Sequence, residues 1–375
     1  MRIDNVTADR VLSPESPEEL AAIFRDESGS IAPVGGGTQL EAGNPLRQVE
    51  IAVETARLNR VTEYVASDLT IHVQAGVRWT DLAETLAEQG QMLALDPWVP
   101  PGATIGGIVA TNAQGALRAV GTLRDWIIGM QVVHADGRVS RTGGRVVKNV
   151  SGYDLAKLYT GSMGSLAVIS EVSFKLRAAW ESTATAELRL DDAHAGAAMI
   201  DAIRRGPTEP IALVWCGPEN RIAVRFGEHP SAVAWQMDQL PAADWKRFDR
   251  ESESVVWEAV RSHYEQMPGT VARVAVLPAA VAGVIERFRP SHWLVHGTIG
   301  TAMMTIDPEV VRGLRAEFPS VLERAPIDVR ERIPWFGVGP TDYDLMRKMK
   351  DAFDPDHRLN PGRHVDGEPG GQPET

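Results

Sequence analysis

Ser30-Ile31-Ala32-Pro33-Val34-Gly35-Gly36-Gly37-Thr38 runs a short apolar strand directly into three consecutive glycines. Without Cβ atoms, such a triplet lets the backbone turn its N–H groups inward around an anion. The segment is not a Walker A loop, which would need Gly-Lys-Ser or Gly-Lys-Thr. Nor does a helix open at its third glycine, as the dinucleotide fingerprint requires. Taken alone, a glycine triplet is more often a plain turn.

Two further clusters change that reading. Pro101-Gly102-Ala103-Thr104-Ile105-Gly106-Gly107 is followed by Ala110-Thr111-Asn112. Small residues there let a backbone approach a flat ligand, and Thr104, Thr111 and Asn112 add neutral hydrogen-bonding groups. Gly161-Ser162-Met163-Gly164-Ser165-Leu166-Ala167-Val168-Ile169 then runs from a turn into a strand whose backbone can bond an adenine edge. Independent turns would give three clusters with no shared purpose, whereas one extended ligand accounts for all of them.

The chain has 375 residues, enough for two domains, or three small ones. Hydrophobic residues at 43% and charged residues at 23% exclude disorder, collagen and coiled coil for its bulk. With 38 basic against 50 acidic side chains the net charge is −12, which repels phosphate backbones and anionic bilayers, so no nucleic-acid partner is expected. One cysteine, Cys216, allows no internal disulfide, thiolate zinc cage or iron–sulfur cluster from this chain alone, and fits a reducing compartment. Met1 to Arg10 has no apolar signal core, and no run reaches the ~18 apolar residues of a transmembrane segment. The expectation is a cytoplasmic protein, with a peripheral place at the inner membrane left open.

From Ile31 to Leu176 the chain is rich in glycine pairs and short β-type runs. From Glu187 to Met349 strands alternate with longer amphipathic helices, so a boundary is expected near residues 177–183. Ser16, Pro17 and Glu19 predict a capping box opening a helix with Leu20, Ile23 and Phe24 on its apolar face. Strands are predicted at Ser30–Val34, Val49–Val53 and Leu69–Val73, and Thr80 is expected to cap a helix ending at Gly90. Asp136-Gly137 predicts a hairpin between Trp126–His134 and Arg138–Arg141, and a strand at Leu166–Leu176 closes this half. The second half predicts strands at Thr183–Leu190, Ile211–Cys216, Arg221–Phe226, Val271–Leu277 and His292–Thr305. Helices are predicted at Ala193–Arg205, Ser231–Leu240 and Ala279–Phe288, with a hairpin at Gly217–Asn220. This pattern reads as α+β, a ferredoxin-like split βαβ arrangement, single or duplicated.

As an ordered set, the motifs resemble the flavin-dependent oxidoreductases of the vanillyl-alcohol-oxidase or PCMH type. The resemblance runs through Pro33–Thr38, Ala75-Gly76-Val77, Gly102–Gly107, Arg124-Asp125, Gly143-Gly144, Lys148–Asp154 and Gly161–Ile169. Phe353–Arg363 resembles the C-terminal signature that returns the chain to the flavin domain. Size, Asp96-Pro97 and the short second half are most similar to the FAD-binding subunits of glycolate oxidase, the GlcE type. The resemblance implies a PCMH-type FAD-binding domain over residues 1–178 and an α+β cap over 179–345. A return segment over 346–365 and a disordered tail over 366–375 would follow. It further implies that Gly35, Gly36, Gly37 and Thr38, after Pro33, wrap the FAD pyrophosphate. Gly102, Ala103, Thr104, Gly106 and Gly107, with Thr111 and Asn112, would line the middle of the cofactor. Arg124 and Asp125 would lie near the flavin, Gly161, Gly164 and Ile169 toward the adenine, and Asn360 would close the site. Arg124 and Asp125 read equally well as a structural ion pair.

Two departures stand out. Members that attach FAD covalently have a histidine where this chain has Thr38, so a non-covalent cofactor is implied. Full dehydrogenases of 2-hydroxy acids have a histidine-rich metal segment, where this chain offers only Leu294-Val295-His296-Gly297-Thr298-Ile299-Gly300. A metal needs several ligands in one place, so none is predicted and no catalytic base is assigned. The implied function is an FAD-dependent oxidoreductase, the FAD-binding subunit of a complex that oxidises a small 2-hydroxy acid such as glycolate to glyoxylate. Its expected partners are a homologous flavoprotein subunit and an iron–sulfur subunit. The alternatives are an electron-transfer or structural partner whose homologue does the chemistry, and a nucleotide-binding module without flavin.

Overall fold

A computed structural model describes residues 1–144, 154–337 and 340–364, with the side chains of 340 and 341 excepted. The sequence motif at Lys148–Tyr153 and the tail from Asp366 lie outside the described residues. The chain forms two compact units. The first comprises residues 1–114, 121–179 and 330–375, and the second comprises 115–120 and 180–329.

The first unit is built on two sheets. Arg10–Leu12, Ile51–Glu54 and Ile31–Val34 form a parallel trio with Ile51–Glu54 in the middle. Side chains alternate across Ile31–Val34, as a strand requires. Ile31 joins Leu20, Phe24, Ile51, Val53, Val133, Val168 and Leu359 in one core, while Ala32 and Val34 join Ile3, Leu46, Val49 and Ala52 in another. The second sheet is antiparallel, in the order Val139–Gly143, Ile127–Val133, Val168–Lys175, Thr70–Gln74, Val61–Val65. Gly137, at φ +78°, supplies the left-handed turn residue of its hairpin, and Asp136 Oδ1 accepts from the Arg138 N–H at 2.9 Å.

Helix Pro17–Asp26 starts as its cap signal predicts, with Ser16 Oγ accepting from Glu19 N–H at 3.1 Å. The reciprocal bond reaches one residue farther back, from Glu15 N–H to Glu19 Oε2 at 2.8 Å. Thr80 does not cap its helix. Trp79–Ala87 has Arg78 at its N-cap, two residues earlier, and the Thr80 hydroxyl donates to Asp81 within the first turn. The reason is local: Trp79 N–H is already held by Ala103 O at 2.9 Å, which fixes the helix start without a side-chain cap.

Eight strands of the second unit form one antiparallel sheet. Their order is Lys246–Asp249, Ser182–Arg189, Arg221–Glu228, Ala212–Gly217, Trp293–His296, Thr301–Thr305, Val271–Ala275, Ser320–Arg324. Read along the chain, this is a β-α-β-β-α-β unit made twice. The first uses helices Ala193–Arg205 and Pro230–Asp238, the second Val281–Phe288 and Val311–Glu317, and Ala212–Gly217 pairs with Trp293–His296 where the repeats meet. The split βαβ reading therefore holds in its duplicated form. The strand expected at His292–Thr305 is two strands, turned over Gly297 to Gly300 with Gly300 at φ +65°. An apolar run with glycines at both corners reads as one strand only until pairing is considered. Helix Ser254–Gln266, which sequence reading missed, joins the two repeats. In the first unit, helix Pro340–Phe353 begins the return that the resemblance placed from residue 346, after a stretch from Arg330 that also belongs there.

Candidate cofactor-binding cleft

The glycine triplet leaves the sheet at Val34 and packs against the loop at Gly102. A Cβ on Gly35 would overlap Thr104 Oγ1, and one on Gly36 would overlap the carbonyl oxygen of Gly102. Gly37 has φ +68°, a left-handed conformation that other residues adopt at a cost. Among the described residues, the N–H groups of Gly35, Gly36, Gly37 and Thr38 have no hydrogen-bond acceptor. Four consecutive amides without partners, on a loop whose shape excludes side chains, are a ready anion cradle.

These residues open on a cleft of about 810 Å³, counting space open to solvent. Of the residues expected at the site, Pro33, Gly35, Gly36, Gly37, Thr38, Gly106, Gly107, Thr111, Gly164, Ile169 and Asn360 line it. Gly106 must be small because a Cβ would lie 2.8 Å from that of Ala75, whose carbonyl accepts its N–H at 2.7 Å. Gly164, at φ +66°, leaves only 2.8 Å between a Cβ and Pro33 Cγ, and 3.1 Å to Asn360 Nδ2. Asn360 in turn donates to Met163 O at 2.7 Å and, through its backbone, to Ile31 O at 2.9 Å. The return segment thus meets the chain at the strand that feeds the glycine loop.

Gly102, Ala103 and Thr104 do not line the cleft. They form the floor beneath the triplet: Thr104 caps the helix Ile105–Thr111 and accepts from Gly107 N–H at 3.4 Å. Asn112, Gly161 and Arg124 gather apart from the cleft lining. Arg124 donates to Thr160 O at 3.1 Å, and a Cβ on Gly161 would lie 3.4 Å from that of Asn112. The ion-pair reading of Arg124 and Asp125 gives way to separate roles. Asp125 accepts from the backbone and hydroxyl of Thr122 at 2.8 and 2.7 Å in a capping box. Burial pushes its carboxyl up, but those hydrogen bonds win and hold it below the ordinary value.

Sequence reading missed several cleft residues. Gln39 and Thr111 meet across it, with the Thr111 hydroxyl 2.5 Å from Gln39 Oε1 and 2.9 Å from Gly107 O, one proton serving both. Met163 and Arg363 also line it. Arg363 donates to Leu40 O at 2.8 Å and Asn44 O at 3.0 Å, and shares Asp4 with Arg330. Arg330 grips Asp4 in two parallel bonds of 2.8 and 2.7 Å. Two guanidinium groups on one carboxylate leave a net positive charge beside the cleft. The signal for Arg363 was present in the return motif, but its distance in sequence hid its place. In the second unit His296 is buried on its strand, while the rings of His292 and His263 lie tilted to each other with centroids 6.2 Å apart. Cys216 is buried, and burial pushes its thiol up to about 12.

Comparison with known proteins follows the same division. Residues 8–143 match the FAD binding domain family, and residues 333–364 match the C-terminal domain of FAD linked oxidases. The mitochondrial D-lactate dehydrogenase [cytochrome] of Arabidopsis thaliana is 36% identical over 173 residues, 45% of this chain and 30% of that protein. Glycolate oxidase subunit GlcD of Bacillus subtilis is 34% identical over 173 residues, 45% of this chain and 37% of that protein. The D-lactate dehydrogenase of Archaeoglobus fulgidus is 27% identical over 409 residues, 95% of this chain and 91% of that protein. The aligned part is thus well under half the length of the first two relatives. The glycolate oxidase relative is the GlcD subunit, where the motifs had suggested the GlcE type. Among solved structures, alkyldihydroxyacetonephosphate synthase superposes with a TM-score of 0.67 at 15% identity, covering 94% of this chain and 76% of that one. The fold is that of the PCMH-type flavoproteins, and the two family matches indicate FAD as the cofactor. The cleft fits it, since unpartnered amides and side-chain-free walls are what a pyrophosphate requires. Among the described residues no helix is long and apolar enough to cross a membrane.

Proposed function

We propose that this protein is an FAD-dependent oxidoreductase of small 2-hydroxy acids, acting as the FAD-binding subunit of a glycolate oxidase-type complex. The observation that carries the reading is the glycine cleft, together with relatives named for oxidation of D-lactate and for glycolate oxidase. Bound FAD supplies the hydride acceptor. The chain's own part is positional: Gly35 to Thr38 hold the pyrophosphate, Gly106, Gly107 and Thr111 lie along the cofactor, and Ile169 borders the adenine end. Thr38 stands where members that attach FAD covalently have a histidine, so FAD is held non-covalently. Electrons leave to partner subunits that carry the iron–sulfur relay, since one buried cysteine builds no cluster.

Anaerobic addition of glycolate, D-lactate or D-2-hydroxyglutarate to the FAD-loaded protein, alone and with co-purified partners, tests the activity. Bleaching of the flavin band by one of these acids is expected. A flavin that none of them reduces, in either form, sinks the reading. Acid precipitation tests attachment: yellow cofactor belongs in the supernatant, and flavin staying with the pellet overturns the non-covalent assignment.

The second reading, a partner subunit that binds FAD while a homologue oxidises the substrate, is favoured by one feature. Among the described residues no group of three histidine, cysteine, aspartate or glutamate side chains is placed to hold a metal ion. Reduction by substrate only when the homologous subunit is present decides for it.

A further inference from the structure

One face of the second unit's sheet collects charge. His296 pairs with Val214 and Thr301, and Arg273 with Met303 and Val321. Two-residue steps along these ladders keep His296, Arg273 and Glu323 on the same side. Both oxygens of Glu323 are taken: Oε2 accepts from Arg273 Nε at 2.8 Å, and Oε1 accepts from the Tyr264 hydroxyl at 3.1 Å. Onto this sheet folds the segment Gly115–Val120, threaded between two stretches of the first unit, with its turn Ala116–Ala119 against the strand Ala212–Gly217. It delivers Arg118, whose Nε is buried and has no hydrogen-bond partner.

The electrostatics agree with the geometry. Burial, then repulsion from Arg273, brings Arg118 down to about 10 despite attraction to Glu323. Burial, then the charges of Arg118 and Arg273, takes His296 down to about 3, so its imidazole is neutral at physiological pH. A desolvated guanidinium without an acceptor is costly, and here two cations face one carboxylate whose oxygens already accept from Arg273 and Tyr264. The face carries one unmatched positive charge, an unused donor fork and a neutral imidazole.

We propose that Arg118, backed by Arg273 and His296, is an anion site of the second unit that takes the carboxylate of a small organic acid. A single unmatched charge suits a monovalent carboxylate, whose plane fits the guanidinium fork, better than a phosphate dianion. Which acid occupies it rests on the 2-hydroxy-acid reading above; the existence of the site does not.

The test is calorimetric titration of oxamate, a monovalent carboxylate with no hydrogen to give up as hydride, into FAD-loaded protein. Arg118→Met keeps the length of the side chain and removes the charge, and Arg118→Lys keeps the charge and loses the fork. Wild-type protein is expected to bind oxamate, Arg118→Met at least tenfold more weakly, and Arg118→Lys in between. Equal flavin content and melting temperature certify that the variants are folded. Binding by Arg118→Met within twofold of wild type, or no binding by wild type, overturns the site. Should Arg118→Met not fold, the lysine variant decides alone, and undiminished affinity there refutes the fork. Arg118-dependent binding in a protein that oxidises no 2-hydroxy acid would keep the site and remove the function. Oxidation with an unchanged KM in Arg118→Met would do the reverse.

Discussion

Gly36 and Gly107 are glycines for different reasons, and that difference is measurable. A Cβ on Gly36 collides with the carbonyl of Gly102, so Gly36→Ala should pry the two loops apart, lowering both the melting temperature of the apoprotein and FAD retention. At Gly107 a Cβ meets only Thr104 Oγ1, at an ordinary 3.5 Å, although the residue lines the cleft. Gly107→Ala should therefore leave the apoprotein as stable or up to ~1 kcal/mol more so, since alanine favours helix, while weakening FAD binding. Differential scanning fluorimetry with and without FAD checks both variants; unimpaired FAD binding by Gly107→Ala would remove that wall from the site. Of this distinction the sequence revealed the glycines and not their opposing atoms, because a loop-to-loop contact over some 70 residues leaves no local pattern. His296 is a second single-residue case. Its folded value near 3 lies below the ordinary 6.5, so between those values the unfolded chain binds a proton that the folded chain does not. Stability should fall as pH drops from about 6.5, by up to ~1.4 kcal/mol per pH unit from this group. Urea midpoints from pH 4 to 7 should show that slope in wild type and lose it in His296→Gln.

At the scale of elements, helices with local start signals were readable and those fixed by distant partners were not. Ser16 announces its helix, and Ser16→Ala should cost ~1 kcal/mol. Helix Trp79–Ala87 takes its start from Ala103, which explains why Thr80 misled. The hairpin within His292–Thr305 was hidden for the same reason, since only pairing with Ala212–Gly217 and Val271–Ala275 divides that run. The helix Pro340–Phe353 carries the plainest case of distant dependence. Lys350 is wholly buried, and its ammonium donates to Ser165 O, Asp354 Oδ2 and Leu359 O at 2.8, 2.6 and 2.8 Å. Every proton has an acceptor, so Asp354→Ala, which strands the cation, should destabilise by about 3–5 kcal/mol. Chemical denaturation measures it, and Lys350→Met should be the milder change.

For the whole molecule, the family pattern and the return of Phe353–Arg363 to the first unit were legible from motifs in a fixed order, whereas the ion pairs that tie the return to Asp4 were not. Asp4, Arg330 and Arg363 form a buried knot of three distant segments in the first unit. Burial raises the Asp4 carboxyl, but the Arg330 hydrogen bond and the charges of both arginines outweigh it and leave it below the ordinary 3.8. The stability it contributes is present above that value and disappears as pH falls through the lower folded one, so Asp4→Asn should be less stable at pH 7 and show a flatter acid limb. Beside that knot, Ile31 and Leu359 bridge as parallel neighbours, and Arg358 donates to four carbonyls, of Phe24, Glu27, Gly29 and Ala135. On a ribosome adding about 5–20 residues per second, Ile31–Val34 is made long before Leu359 exists, and the whole second unit is translated in between. For roughly 15–65 s the nascent chain holds an open sheet edge next to its glycine loop. The residues that close that edge, Leu359 and Asn360, thus reach the strand that feeds the glycine loop only after the second unit has been made.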